Sequence, residues 1–401
     1  MGREVLPLGP ASGRTAGWGV MTEKIKRFLA ENRLATPSLV VDVGRVVENY
    51  RGFARLLPGA DIYYAVKANP APQIITALVR ENACFDAASI FEVRQVLACG
   101  AKPGRVSFGN TIKKEDDIAA AHGLGIGLYA FDSEGELDKL ARAAPGARVY
   151  CRLLLINESA GWPTSRKFGC EVEMARDLLI AARDKGLVPF GVSFHVGSQQ
   201  TDLVQWDVAI ARSKVLFTAL EGAGIKLGMV NLGGGLPVPY REGAAEDGVP
   251  CLESAGRAIV DSLNRHFGNQ MPRIIAELGR AVVADAGIIE AEVVLVSRKV
   301  YDDARRWVYL DIGKYGGLAE TLDECIRYPI ETSRDGGATG PVVVAGPTCD
   351  ETDVLYDRAG YELPLDLSAG DRVRILATGA YTSSYCSVGF NGFPPLAEHY
   401  I

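Results

Sequence analysis

The feature that most constrains the fold is a repeated rhythm of short apolar strands, each followed by a turn and a helical stretch. Eight strands alternating with helices is the arithmetic of a (β/α)8 barrel, although doubly wound sheets share the rhythm. The predicted strands are Ile62–Val66, Ala83–Asp86, Val106–Phe108, Gly127–Phe131, Arg148–Leu155, Gly191–His195, Met229–Leu232 and Arg273–Glu277.

After residue 285 this rhythm stops, and strand-like runs follow one another without regular helices between them. We therefore predict a C-terminal antiparallel β domain over 285–401, of sandwich or barrel type. Residues 22–45 contain a predicted helix and the strand Ser38–Val43, which we expect to join that domain. The barrel is expected over 46–284, and residues 1–21 are expected to form a disordered leader.

Composition excludes several classes of function. A net charge of −6 gives no basic surface for nucleic acid. The sequence contains no run of about 18 apolar residues, which is the length needed to span a membrane. Its first twenty residues lack the apolar core of a secretory signal. The eight cysteines show no metal-ligand spacing. We expect a cytoplasmic protein that binds no metal and keeps its thiols reduced.

Lys67, in the stretch YAVKANP, is the first candidate for chemistry. It comes at the carboxyl end of a predicted barrel strand, which is the end where such barrels carry their active sites. An amine in an apolar wall has a lowered pKa and can form a Schiff base. The alternative is a lysine that simply extends from a strand end into water.

Two further strands end in candidate side chains. Asp86 ends one of them, and Ser89 with Glu92 fits a helix capping box. His195 ends another, where its ring could stack on a planar cofactor, and Ser198 could hydrogen-bond a phosphate. A lone histidine is more often a core residue.

The last two barrel strands are followed by groups suited to an anion and to a heterocycle. The triplet in NLGGGLP could close its backbone N–H groups on a phosphate. Glu277, in AELGR, could keep a pyridine nitrogen protonated, and Arg280 could pair with phosphate. A salt-bridged pair at the strand end is the structural alternative.

Two motifs in the C-terminal part complete the set. In GPTCDETD, the acids around Cys349 favour a protonated thiol that acts as a proton donor, and Asp350 suits a substrate ammonium. In GAYTSSYCSVGFNGF, Tyr381 could hydrogen-bond phosphate and Phe390 could wall a ligand. A turn cysteine with solvated acids is the alternative for the first motif, and core aromatics for the second.

The ordered set YAVKAN, FDAAS, SFHVGSQ, GGGLP, AELGR, GPTCD and GAYTSSYCSVGFNGF resembles the pyridoxal-phosphate-dependent basic amino acid decarboxylases of the alanine-racemase fold. The resemblance runs from about residue 36 to residue 394, and it is nearest to the ornithine decarboxylases. It implies that the catalytic residues are Lys67, Cys349, His195 and Glu277. It implies cofactor contacts from Lys67, Asp86, Arg152, His195, Ser198, Gly233, Gly234, Gly235, Glu277, Arg280 and Tyr381.

The resemblance also implies decarboxylation of ornithine to putrescine and CO₂ in polyamine biosynthesis, with lysine to cadaverine left open. Substrate contacts are implied for Asp350, Cys349, Phe390 and Tyr381. A second acid for the distal amine is expected at Glu320, Asp323 or Glu324. The resemblance further implies a head-to-tail homodimer with two sites, each built by both chains, in which Lys167 is expected to make a salt bridge across the dimer.

Several alternatives stay open. Lysine or arginine decarboxylation differs only in substrate, and segment 311–330 resembles the bacterial lysine/ornithine and arginine branch. Diaminopimelate decarboxylases carry an ESGD-like motif in place of GPTCD, and racemases pair the pyridine nitrogen with arginine where Glu277 stands. A non-catalytic regulatory homologue is expected to lack the lysine or the phosphate residues. A small pyridoxal-phosphate carrier would consist of the barrel alone.

Overall fold

The structure, a computed structural model, describes residues 20–155, 166–240, 249–389, 391 and 393–401. Its contacts divide the chain into two units. The barrel unit comprises the described residues of Asn49–Val238 and Gly248–Gly279. The sheet unit comprises those of Arg14–Glu48, Pro239–Asp247 and Arg280–Ile401.

Three elements precede the barrel strands. They are α1 (Glu23–Glu31), β1 (Ser38–Val41) and α2 (Val43–Leu56). Helix α1 begins where the hydroxyl of Thr22 accepts a hydrogen bond from the Ile25 N–H at 3.2 Å, which is the usual N-cap arrangement. Met21, at the end of the predicted leader, is only 6% exposed and packs in a core cluster with Ile25 and Val40, so it belongs to the folded chain.

The barrel strands form a closed parallel ring in sequence order. Pairing of the last strand with the first, with Ala60 opposite Ile274, closes it. All eight predicted strands are present, and no end differs from its predicted position by more than three residues. The strands are β2 (Ala60–Ala65), β3 (Cys84–Ala87), β4 (Val106–Phe108), β5 (Leu128–Phe131), β6 (Arg148–Arg152), β7 (Val188–Ser193), β8 (Met229–Asn231) and β9 (Arg273–Leu278).

Helices follow most of these strands and cover the ring. They are α3 (Pro72–Arg80), α4 (Ile90–Ala98), α5 (Glu115–Gly123), α6 (Glu134–Ala143), α7 (Val172–Asp184), α8 (Val204–Gly222) and α9 (Leu252–Phe267). The short helix α10 (Arg280–Val283) belongs to the sheet unit. Inside the ring, Tyr63, Leu128, Tyr150, Met229 and Ile275 form one buried cluster. The barrel centre is therefore packed with side chains, and the carboxyl ends of the strands carry the polar groups.

The sheet unit contains the remaining strands. These are β10 (Gly287–Ser297), β11 (Arg306–Leu310), β12 (Ile330–Thr332), β13 (Thr339–Ala345), β14 (Val354–Tyr356), β15 (Glu362–Pro364), β16 (Arg372–Ile375) and β17 (Ala397–Tyr400). The order along the sheet is β12-β16-β10-β11-β13-β14. Strand β1 pairs with β10, as expected from the sequence.

The sheet differs from the prediction in one respect, because it is mixed rather than wholly antiparallel. Strand β11 runs parallel to β13, and β1 runs parallel to β17. Residues 311–338 separate β11 from β13, and a connection of that length can return the chain to the same end of the sheet. Among the described helices, none combines the length and the apolar character that crossing a bilayer requires.

Candidate active site

Lys67 lies in a single 3-10 turn, Val66–Ala68, directly after β2. Its two neighbours in the turn are buried whereas Lys67 is exposed, so the side chain leaves the core at the carboxyl end of the barrel. Asn69 stabilises the turn from both sides: its carbonyl accepts from the Tyr64 hydroxyl at 2.8 Å, and its side chain accepts from the Ala71 N–H at 3.1 Å. The sequence expectation of a lysine at a strand end is therefore met.

Asp86, on the adjacent strand β3, is a buried acid with an unsatisfied oxygen. It is 6% exposed, and Oδ1 has no hydrogen-bond partner among the described residues. Burial raises the pKa of Asp86 well above its usual range, repulsion from Glu277 raises it further, and Lys67 opposes both effects. A Cβ on Gly109 would lie 1.9 Å from that oxygen, so the carboxyl group requires glycine there. An orphaned buried acid next to a cation suits a polar ligand.

Asn231, at the end of β8, connects the acid on β9 to the glycine loop. Its side-chain amide donates to the carboxylate of Glu277, and its Oδ1 accepts from the Gly233 N–H at 2.9 Å. The Glu277 N–H in turn donates to the Gly233 carbonyl at 2.8 Å. Sequence reasoning missed Asn231, although an asparagine placed directly before LGGGL was the available signal.

Arg152 and His195 are two further residues of the barrel unit whose pKa values are shifted by burial and by neighbouring charges. Burial lowers the pKa of Arg152 while Glu277 opposes the shift, and the guanidinium carbon lies 5.0 Å from the centre of the Phe168 ring. Burial, together with the charges of Arg152 and Lys67, lowers the pKa of His195 to about 3. His195 is therefore a neutral ring at physiological pH, which suits stacking on an electron-poor heterocycle.

The glycine triplet requires glycine at all three positions. A Cβ at Gly233, Gly234 or Gly235 would approach a backbone carbonyl oxygen to 2.3, 2.6 and 2.3 Å respectively. The Gly233 N–H is engaged by Asn231, whereas the N–H groups of the next two glycines meet no acceptor among the described residues. Two donors of the predicted nest are thus left for an anion. Ser198, on the loop after β7, is partly buried.

Ser89 caps helix α4, since the Glu92 N–H donates to the Ser89 hydroxyl at 3.2 Å. The Glu92 carboxylate accepts from the Ala88 N–H at 2.6 Å, one residue before the N-cap, so the second half of the predicted capping box is displaced by one residue. Their contacts account for the FDAAS motif beyond Asp86 on structural grounds.

In the sheet unit, Arg280 is buried and paired. Its Nη1 and Nη2 donate to the two oxygens of Glu320 at 2.6 and 2.5 Å, and Nη1 also donates to the Tyr240 hydroxyl at 2.8 Å. The guanidinium carbon lies 4.8 Å from the centre of the Tyr381 ring. Arg280 and Tyr381 are thus in contact, and the sequence had not linked Glu320 to either of them.

Glu324 and Asp323, the other two candidates for the distal amine, have contrasting environments. Glu324 is buried, and its Oε1 accepts from the N–H groups of Asp357 and Arg358 at 2.9 and 2.7 Å. Asp323 is exposed, lies in a left-handed turn with φ 52°, and has no polar partner among the described residues. Glu324 therefore anchors a loop, and only Asp323 leaves its carboxylate open to solvent.

Cys349 and Asp350 lie on an exposed turn after β13. The Cys349 N–H donates to the side chain of Asn391 at 3.0 Å. Asp350 accepts hydrogen bonds from the Thr352 side chain and backbone, which lower the pKa of its carboxyl group. Asp350 is thus an anion at neutral pH. Phe390, the remaining predicted substrate contact, lies outside the described residues.

The predicted site residues fall in both units. The sheet unit contains the phosphate candidates Arg280 and Tyr381 and every described substrate candidate. In the barrel unit one group of site residues lies close together, since the charges of some of its members shift the pKa values of others. That group is Lys67, Asp86, Arg152, His195 and Glu277. The donor set fits pyridoxal 5'-phosphate: an amine, an acid for a ring nitrogen, a neutral ring to stack and glycine donors for phosphate.

An amine after β2 and an acid on the neighbouring β9, in a barrel joined to a mixed sheet, define the alanine-racemase fold class of pyridoxal-phosphate enzymes. The family model for "Pyridoxal-dependent decarboxylase, pyridoxal binding domain" matches residues 43–284. The lysine/ornithine decarboxylase of Selenomonas ruminantium is 34% identical over 373 residues, which cover 93% of this chain and 91% of that protein.

Two solved structures extend the similarity over nearly the whole chain. A structure of SrLDC in complex with PLP and cadaverine has a TM-score of 0.83 and 32% identity, covering 95% of this chain and 94% of that one. The arginine decarboxylase of Paramecium bursaria Chlorella virus has a TM-score of 0.86 and 27% identity, covering 95% and 100%. The chain belongs to the pyridoxal-dependent decarboxylase family, and the relatives named above are decarboxylases of lysine, ornithine or arginine.

Proposed function

We propose that this enzyme decarboxylates L-ornithine to putrescine and L-lysine to cadaverine, as part of polyamine biosynthesis. Its lysine/ornithine decarboxylase relative supports both substrates, and the exposed carboxylate of Asp323 and the negative charge of Asp350 suit a substrate with a distal ammonium. The observation that carries the decarboxylase reading is the acid on β9, Glu277, which the Asn231 amide holds in place. Racemases of this fold class carry arginine at that position.

Lys67 is proposed to hold pyridoxal phosphate through its amine, with His195 against the ring. The other proposed cofactor residues are Asp86, Arg152, Ser198, Gly233, Gly234, Gly235, Glu277, Arg280 and Tyr381. When bound, the cofactor supplies an electron sink for the electrons that remain at Cα after CO₂ leaves. Glu277 keeps a proton on the pyridine nitrogen, which preserves that sink, and the low pKa of His195 keeps its ring free of a competing charge.

Cys349 is proposed to deliver the proton that replaces CO₂ at Cα. Asp350, one residue later, binds the distal ammonium of the substrate, because its carboxyl group has a lowered pKa and is charged at neutral pH. A substrate with a charged distal amine is therefore expected to be preferred over one with a neutral side chain.

Asp323 is proposed as the second acid for the distal ammonium. Glu320 and Glu324 are committed to other contacts within the sheet unit, whereas the Asp323 carboxylate is exposed. Asp323→Asn is expected to raise KM for ornithine and lysine about tenfold with little change in the cofactor's dissociation constant. An unchanged KM for both substrates would exclude Asp323 from the substrate site.

A homodimer with shared sites is also proposed. Its support is that Cys349 is exposed on a turn of the sheet unit and Lys167 is exposed in the barrel unit. Mixing Lys67→Ala subunits, which should release no CO₂, with Cys349→Ala subunits, which should form little diamine, is expected to restore diamine formation, because a mixed dimer contains one site with both residues intact. No recovery after subunit exchange would show that each site is built by one chain.

The test of substrate is CO₂ release by the purified protein from ornithine, lysine, arginine and diaminopimelate, compared as kcat/KM. We expect ornithine and lysine to exceed the other two by at least about tenfold. A preference for arginine or diaminopimelate would refute the proposed substrate. Lys67→Ala serves as the control, since loss of the amine should remove both the visible absorption of the bound cofactor and the CO₂ release.

A further inference from the structure

Glu320 occupies only one edge of the Arg280 guanidinium. Its two carboxylate oxygens face Nη1 and Nη2 end-on at 2.6 and 2.5 Å, and the Tyr240 hydroxyl takes the second hydrogen of Nη1 at 2.8 Å. An arginine side chain has five N–H donors. Three are used here, which leaves the donors on Nε and on the far side of Nη2.

Those two remaining donors form the side edge of the guanidinium. Among the described residues no acceptor meets them. The Nε and Nη2 donors are parallel, and this edge is one that arginine uses to bind phosphate or carboxylate in a bidentate manner. A buried arginine that is paired at its end and open at its side is arranged to receive one further anion.

Packing fixes the plane of the guanidinium as well as its end. The Tyr381 ring covers it at 4.8 Å, and Tyr381 itself is held at φ 54°, a conformation that costs a bulky residue conformational energy. The Tyr240 ring, whose centre is 5.9 Å from the guanidinium carbon, packs edge-on against Tyr328, with the ring centres 5.4 Å apart. Arg280 is 7% exposed, so little room remains for it to rotate.

We propose that Glu320 is the positioning residue for Arg280: it grips the end edge and thereby presents the side edge to the cofactor phosphate. This inference rests on the proposed function, in which Arg280 binds that phosphate. Glu320 then acts through Arg280 and has no part in binding the distal amine. Because an ion pair with two parallel hydrogen bonds fixes orientation, loss of one carboxylate oxygen should misplace the free edge.

The test compares two ligands of the cofactor-free protein: pyridoxal phosphate, and pyridoxal, which lacks the phosphate. Glu320→Gln keeps the size of the side chain but turns an N–H donor toward the guanidinium. We expect the dissociation constant for pyridoxal phosphate to rise at least about tenfold and that for pyridoxal to stay unchanged. Glu362→Gln is the control, since this exposed acid on β15 should change neither constant. Equal weakening of both ligands, or of neither, would overturn the proposal.

Three further variants keep the outcome decisive if Glu320→Gln fails to fold. Glu320→Asp and Tyr240→Phe each retain a partner for Arg280, and both should weaken pyridoxal phosphate selectively, about threefold or more. Arg280→Lys keeps the charge and removes the forked edge. If it binds pyridoxal phosphate like the wild type, the proposed phosphate role of Arg280 fails, and this inference fails with it. If Arg280→Lys weakens binding while the Glu320 and Tyr240 variants do not, the inference alone fails.

Discussion

Lys113 provides a strong test of how the barrel unit is held together near its active-site end. It follows β4, and its side chain is fully enclosed. The amine donates to the carbonyls of Asn110 and Ala130 at 2.7 Å each and lies 2.8 Å from the carboxylate of Glu136 on α6. Lys139 contacts the other oxygen of that carboxylate at 2.5 Å. One buried amine thus joins a strand, a helix and a loop.

The stability contributed by Lys113 is expected to depend on pH. Burial lowers its pKa from 10.5 to about 8, and the facing charges are Glu136, Lys139 and Asp132. Between these two values the unfolded chain holds a proton that the folded chain has lost, so the free energy of unfolding rises as pH increases through this window. At about 1.36 kcal/mol for each pKa unit, the full rise is roughly 3 kcal/mol. Below pH 8, where Lys113 is protonated in both states, it adds no pH dependence.

Lys113→Met should have two effects. At about pH 7.5 it should lower the free energy of unfolding by ~3–5 kcal/mol, because Glu136 loses its buried partner and two carbonyls lose their donor. It should also remove the rise in stability toward pH 10. Lys185→Met is the matched control: Lys185 pairs with Asp138 at 2.7 Å on the surface, where solvent screens such ion pairs and they contribute little to stability.

The assay is urea unfolding of wild type and both variants at several values between about pH 7 and pH 10, followed by circular dichroism. Subtracting the variant curve from the wild-type curve removes the contributions of other titrating groups. Parallel curves for wild type and Lys113→Met across that range would refute the reasoning about its pKa. A loss at neutral pH no larger than that of Lys185→Met would refute the structural role.

Three other outcomes follow from the site. Gly234→Ala should weaken the cofactor at least about tenfold in an equilibrium titration, since the new Cβ would lie 2.6 Å from the Glu277 carbonyl oxygen, whereas Gly228→Ala, with no neighbour nearer than 3.6 Å, should bind normally. Cys349→Ala should reduce diamine formation more than CO₂ release when both products are measured, and equal losses would show that the thiol only packs. The cofactor-free protein should lose stability as pH falls from 6.5 toward 3, by at most about 1.4 kcal/mol per pH unit, because unfolding lets His195 take a proton; a His195→Phe variant with the same acid slope would contradict this.

The barrel is largely determined by local sequence. A short apolar run that ends in a turn can bury both faces in a parallel sheet covered by helices, so the strand rhythm predicted a parallel sheet with helices, and the count of eight strands favoured a ring over a doubly wound sheet. The same rhythm placed Lys67, Asp86 and Glu277 at or near the ends of their strands. Their side chains meet because parallel strands end at the same edge of a barrel.

The pairing partners of the polar side chains were decided only by the tertiary structure. Nothing local distinguishes Glu320 from Asp323, which lie three residues apart, yet one is buried against Arg280 and the other faces solvent. Asn231 likewise gains its role from Glu277, which is 46 residues away. The parallel pairing of β11 with β13 follows from where a long connection returns, which no period of apolar residues encodes. Periodicity specifies which side chains share a face, but contacts between distant segments depend on how the whole chain packs.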